Sequence, residues 1–395
     1  MNRFLLLLFF CVLCLSNGSK TETRIETVKN DNLHVIDLDL PKNTQKINTS
    51  SIFNKVEAII LETKKEALVG PFYMFYVFEN YVFIMNQFQA NKDFLVFNRE
   101  GKFIRKIGGL GQGPGEYTWL FDFTIDSDNR IIYLLCGLVI NKYKIDDGTF
   151  IGNIKLKESV SCIQYAHGKL YSELRRDSVY LLQEINLKTG KQADKYFKRD
   201  EYDKGWLEPL FAYQEIPFKH RLAESPKFSS TFMDTIFTIN PNGFMPFLAI
   251  KSKHLVNNAD LDATIGKVPK DRIQTIKNKN KIFCIYNYLE TKNHIFFHYT
   301  QGMTNVPILY SLTTNSYQKA TLQNDLVFND AMLPHQEFIF SDSNGIYGTY
   351  NNIASNERFF ELIKENKLAT HVDKRDQLMK LADDSNPVIF YYSYD

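Results

Sequence analysis

The chain has 395 residues, 44% of them hydrophobic and 23% charged, a balance that fits a globular protein and excludes a disordered one. Its 47 basic and 45 acidic residues leave a net charge of +2 with no dominant basic tract, which argues against a nucleic-acid partner. Aromatic content is high, 14% with 32 Phe and 22 Tyr, and these residues favour strands.

Residues 1–18, "MNRFLLLLFFCVLCLSNG", read as an export leader. Arg3 supplies the positive start, Phe4 to Leu15 the apolar run, and Ser16-Asn17-Gly18 the small residues for cleavage. The apolar run is shorter than the roughly twenty residues a spanning helix needs. Cys11 and Cys14 lie within it. Cys14 offers a site for lipid attachment, with Leu13 where a small residue is expected. Two fates follow, lipoprotein or secreted protein. Both place the mature chain outside the cytoplasm, in the periplasm or at the outer membrane or cell surface, with membrane contact only through a lipid anchor. Residues 19–50 are polar and read as a tether.

From residue 51 to 395 a unit recurs: an aromatic strand, a second strand, a polar turn with glycine, and a third strand. "NYVFIMN" (80–86) precedes "DFLVFNREGKFIRKIG" (93–108), and "NRIIYLL" (129–135) precedes "INKYKIDDGTFIGNIKL" (140–156). "GKLYSEL" (168–174), "DTIFTINPNGFMPFLAI" (234–250) with a weak leading strand near "FKHRL" (218–222), "NHIFFHY" (293–299) and "GIYGTY" (345–350) open or continue four more units. The turn glycines Gly101, Gly148, Gly190 and Gly243 are spaced by 47, 42 and 53 residues, the period of propeller blades. In "FLVF" (94–97) both faces are apolar, as in a sheet packed between two others, whereas "KFIRKI" (102–107) alternates like an outer strand. The predicted fold is all-β, a six-bladed β-propeller. The strand near "HVIDLDL" (34–40) is expected to help close its ring.

Between the first two units lies "IGGLGQGPGEY" (107–117). A Walker loop would end in Gly-Lys-Ser/Thr, but here Gly115 is followed by Glu116 and Tyr117, and the G-x-G-x-x-G spacing also fails. The stretch reads as a link between blades, with Tyr117, Trp119 and Phe121 entering the next one. Two polar segments break the rhythm as helical insertions, about 252–280 and 355–385. In the second, Phe359, Leu362 and Ile363 share one helix face and Ser355 offers an N-cap.

Together, "IILET" (59–63), "FNREGKFIRKIGGLGQGPGEYTWLFDFTID" (97–126), "MDTIFTI" (233–239) and "NPVIFYY" (386–392) resemble the six-bladed propeller proteins exported by Bacteroides-type bacteria. The resemblance covers most of the chain and implies the fold and export. It brings no activity to carry over residue by residue.

Motifs for chemistry are sparse. No G-x-S-x-G elbow occurs. His294 and His298 in "HIFFH" would sit roughly 13 Å apart on a strand, at about 3.3 Å per residue, and cannot share a metal. "DSDNRI" (126–131) has Ile131 where a calcium loop needs Gly, so it reads as an acidic turn. Asp122, Asp126, Asp146 and Asp147 read as turn carboxylates. Cys136, Cys162 and Cys284 form no disulfide framework and read as free thiols in apolar runs. No metal or cofactor is expected. The ligand-binding candidates are Arg175 and Arg176 in "ELRRDS", Trp206 in a polar insertion, and Tyr117 and Trp119 beyond the glycine loop, with core packing the plainer role for Trp119. The expected function is a non-catalytic binding or scaffold protein of the cell envelope. Its partner, an envelope protein, peptide or glycan, would sit at the propeller mouth. The alternative is a lyase or hydrolase acting on a polymer in the central channel.

Overall fold

A computed structural model describes residues 33–40, 43–70, 73–86, 92–174, 178–202, 217–329, 337–350 and 353–395. The leader, half of the expected tether, Arg175, Arg176 and Trp206 lie outside them.

The strands form six sheets, each an antiparallel meander at its core, arranged as a six-bladed β-propeller. The first strands of the blades are Tyr73–Phe78, Asp122–Asp126, Ile163–Ala166, Phe218–Lys219, Ile282–Glu290 and Glu337–Asp342. They line the centre, where Ile163–Ala166 packs on Asp122–Asp126 and Glu337–Asp342 packs on both Ile282–Glu290 and Tyr73–Phe78. Each blade thus has one more strand than the three-strand unit visible in the sequence. Blade texture follows burial. Phe94, Leu95, Val96 and Phe97 are all buried, because blade one is covered on both faces. In the outer strand Phe103–Lys106, by contrast, Ile104 and Lys106 are exposed.

The repeated turn glycine has two reasons. Gly101 has φ of +87°, and a Cβ there would lie 1.9 Å from the Ile60 carbonyl oxygen. Gly190 has φ of +64°, and its Cβ would lie 2.2 Å from the Lys155 oxygen. In both cases the turn of one blade rests on the outer strand of the blade before it, so the site demands a left-handed backbone and no side chain.

The ring is closed by Lys55–Ile60, which pairs antiparallel with Val388–Ser393 as the outer strand of blade six. The strand near His34 therefore does not close the ring. His34–Asp37 adds in parallel to the outer strand of blade four (His34 opposite Leu248), and Gln45–Asn48 adds in parallel to that of blade five (Gln45 opposite Ala320). The segment expected as tether up to residue 50 is in part a belt around two successive blade edges.

Both helical insertions are present. The first holds helices Asn258–Asp262 and Pro269–Asn278. The second holds Ile353–Lys364 and Arg375–Leu378, and Phe359, Leu362 and Ile363 face the core as their spacing predicts. Its first helix begins at residue 353, so Ser355 lies inside it and is not its N-cap. Cys136, Cys162 and Cys284 form no disulfide; Cys162 and Cys284 are buried and Cys136 half-buried. "HIFFH" is a strand, as expected.

Candidate functional site

Two regions gather functional side chains: the channel and one face of the disc. In the channel, the inner strand of blade four stops after Lys219. The chain turns at His220 (φ +49°), and Leu222 packs on the core of blades one, two and six. The turn delivers Arg221 into the centre. Its Nη1 donates to Asp122 Oδ1 at 2.7 Å and to the Tyr76 hydroxyl at 2.5 Å. Its Nη2 donates to Asp122 Oδ2 at 2.9 Å, to the Phe123 carbonyl and to the Ile163 carbonyl, while Nε donates to Gln164 at 3.0 Å. One guanidinium thus ties blade four to blades one, two and three. Asp122, read from sequence as a turn carboxylate, is instead a buried partner at the head of an inner strand, because a buried arginine needs a bidentate counterion. It also accepts the Ile163 N–H, as Thr124 accepts that of Tyr165, so side chains of one inner strand satisfy the free edge of the next.

A second cluster joins blades four, five and six. Lys227 pairs with Glu290 at 3.2 Å, and the Tyr288 hydroxyl donates to the same carboxylate at 2.5 Å. Ser341 accepts the Glu290 N–H and lies 3.5 Å from His220 Nδ1. Burial pulls the His220 imidazole below its ordinary value and pushes the Tyr76 and Tyr288 phenols above theirs. The charges meeting at the centre are spent on one another. In the sequence "FKHRL" reads only as a weak leading strand, with nothing to mark Arg221 for the centre.

The second region follows from topology. In an up-and-down blade, the links from second to third strand and from one blade to the next leave at the same end. Every connection longer than seven residues, including both helical insertions, lies at that end. The opposite end carries tighter turns, among them the Asp126 turn, where that carboxylate accepts the Asn129 backbone N–H and side-chain amide at 2.9 Å each, and the Asp147 turn, where Asp147 accepts the Thr149 N–H. Among the described residues, eight large apolar side chains are at least half exposed, and seven belong to the loop-bearing face.

The glycine loop is part of this face and links blade one to blade two. It is filled by its own carboxylate: Glu116 accepts the Gly113 N–H at 2.8 Å, and a Cβ on Gly111 would overlap that carboxylate. Tyr143 and Asn141 of blade two donate to the Gly115 and Glu116 carbonyls. The loop therefore links blades and has no room for a phosphate. Tyr117 is 2% exposed; its hydroxyl accepts the Phe94 N–H and donates to the Ile107 carbonyl, so it is a core residue and no ligand contact. Trp119 is 55% exposed, against the packing role its sequence context favoured, with Lys92 Nζ 3.0 Å from its ring centre. Leu110, Phe121 and Leu138 are exposed on the same loop and the adjoining turn. Arg175, Arg176 and Trp206, the other candidates, fall outside the described residues.

The sequence profile of a domain of unknown function, DUF4934, matches residues 33–393. Among curated proteins no sequence matches. Of solved structures, one similar fold is a Bacteroides fragilis protein whose assigned name, exported protein, is itself an inference. It has a TM-score of 0.71 at 17% identity, over 92% of this chain and 99% of that one. Another is a DUF4221 family member from Bacteroides vulgatus, with a TM-score of 0.48 at 12% identity, over 86% of this chain and 96% of that one. At these identities the first likeness is one of fold.

Proposed function

The chain belongs to the DUF4934 family, and we propose that it is a non-catalytic binding or scaffold protein of the bacterial cell envelope that takes its partner on the loop-bearing face. The observation that carries this reading is the concentration of exposed apolar side chains on that face, Trp119 foremost, beside a channel whose charges are mutually paired. Solvent-facing aromatic and aliphatic groups gathered on one side of a molecule mark a binding surface. The leader at residues 1–18 and the name of the Bacteroides fragilis neighbour support export, and Cys14 is the residue a lipid anchor would use.

The test is crosslinking and recovery of the tagged protein from its native envelope, with Trp119→Ala and Leu138→Ser in parallel. The expected result is a protein, peptide or glycan held by the native chain and lost from both variants at unchanged melting temperature. Turnover of a polymer by the purified protein, or capture indifferent to both substitutions, would overturn the reading.

A further inference from the structure

The three most exposed large apolar residues described are Ile265 (75%), Met303 (70%) and Val268 (62%), and all three surround one helix. Ile265 and Val268 lie in the tip "IGKVPK" (265–270), which leads from the first helix of the insertion into the start of the second. Met303 sits in the adjoining turn of blade five, its sulfur 3.8 Å from Gln274 of helix Pro269–Asn278.

The tip is built and held. Ile265 N–H bonds the Asp262 carbonyl at 3.1 Å, Lys267 N–H bonds that of Thr264 at 3.1 Å, and the Arg272 side chain donates to the Lys267 carbonyl. Beneath it Leu261, Ile273 and Ile276 form their own small core with Val256, Phe232 and Phe283. The insertion thus buries the apolar residues its fold needs and points two others outward. Lys267 and Lys270 alternate with them. From residue 260 to 281 there are six basic residues against three acidic ones, and Asp260, which pairs Lys279 and Lys281, is one of those three.

We propose that this tip is a membrane-contact element that seats Ile265 and Val268 among the acyl chains of an anionic bilayer, with Lys267 and Lys270 at the headgroups. Protruding aliphatic residues interleaved with lysines match that boundary, where apolar burial and headgroup charge act together. An acidic protein would also meet the lysines, but it gives no reason for two aliphatic side chains as exposed as Ile265 and Val268 between them. Placement agrees. The insertion directly follows the outer strand of blade four, to which His34–Asp37 is paired, and Asp39 accepts the Lys253 N–H at 2.8 Å. The chain preceding residue 33 therefore joins the body on the blade that carries the tip, entering from the strand end away from it. The sequence allowed the membrane only through a lipid anchor; this contact is separate from that anchor, and it assigns Ile265 and Val268 to the bilayer, leaving partner docking to Trp119 and the other exposed groups of the same face.

The test is co-sedimentation of the unlipidated chain from residue 19 onward with vesicles of phosphatidylcholine, alone or mixed equally with phosphatidylglycerol. The native chain is expected to sediment with the anionic vesicles only. Ile265→Ser with Val268→Ser, and separately Lys267→Glu with Lys270→Glu, should each lower the bound fraction at least about tenfold with little change in melting temperature, since all four side chains are exposed and the one bond lost, Lys267 Nζ to Thr275 Oγ1 at 2.9 Å, lies at the surface. Trp119→Ala should sediment like the native chain, which separates this result from the docking test. A native chain that stays in the supernatant, or binding that survives either double substitution intact, would overturn the proposal.

Discussion

Gly101 and Gly168 both hold left-handed backbones, with φ of +87° and +77°, yet only the first has a neighbour where a Cβ would go. Gly168→Ala should cost about 1 kcal/mol, the price of the conformation alone. Gly101→Ala must also displace the Ile60 carbonyl of the closing strand and should cost about 3 kcal/mol or more. Urea midpoints of the two variants compare them directly. Arg221 poses a different problem. Arg221→Ala leaves Asp122 buried without a counterion and should lose about 3–5 kcal/mol, while Arg221→Met with Asp122→Asn should lose less, because no charge is stranded. An equal loss in both chains would show that the arginine matters through its hydrogen bonds to Tyr76, Gln164 and the two carbonyls, which both variants lose, and not through the stranded charge. His220 makes a prediction in pH. Burial lowers its folded pKa below the ordinary 6.5, so between those two values the unfolded chain binds the extra proton. Stability should therefore fall as pH drops below about 6.5 and level off beneath the folded value. His294, also lowered by burial, adds in the same sense. Melting scans from pH 7.5 to 5, with His220→Gln giving a shallower slope, check the assignment.

At the scale of elements, what was legible in the sequence was local. The glycine spacing gave the blades, the two-sided apolar run at Phe94–Phe97 gave a covered sheet, and the 359, 362, 363 spacing gave the helix face. The inner strands were harder to see. Asp122, Thr124 and Asp126 alternate with Phe123 and Ile125, and all five are buried. Polar residues that serve the neighbouring blade look like a turn when only the chain itself is read. The site suffered in the same way: Trp119 was noticed, but its exposure depends on how far the glycine loop stands off, and Arg221 has meaning only beside three other blades. The strand near His34 was legible as a strand, but its partner, like that of Gln45–Asn48, was not, since pairing across some two hundred residues or more leaves no local pattern. They make a testable element. A chain beginning at residue 43 loses His34–Asp37 and exposes the outer edge of blade four. Its melting temperature should fall by only a few degrees, about 2–4 °C, while an unpaired edge drives self-association visible by size-exclusion chromatography.

For the whole molecule, closure decides cooperativity. Lys55–Ile60 is hydrogen-bonded along its length to Val388–Ser393, and Gly101 rests on it from blade one, so blades six and one meet through it. A chain beginning at residue 62 should lose the single sharp melting transition, in contrast to the one beginning at residue 43. If both melt alike, the belt and not the closing strand holds the ring. Closure also orders the two faces, with tight turns at one end and the long connections, exposed apolar groups and both helical insertions at the other.

The closing pair has a consequence in time as well. Strand Lys55–Ile60 leaves the ribosome more than three hundred residues before Val388–Ser393 exists to receive it. Until synthesis is nearly complete, the nascent chain carries an unpaired strand and five blades without a ring. A chain that stops before Val388 would carry five complete blades and still lack the partner of its closing strand.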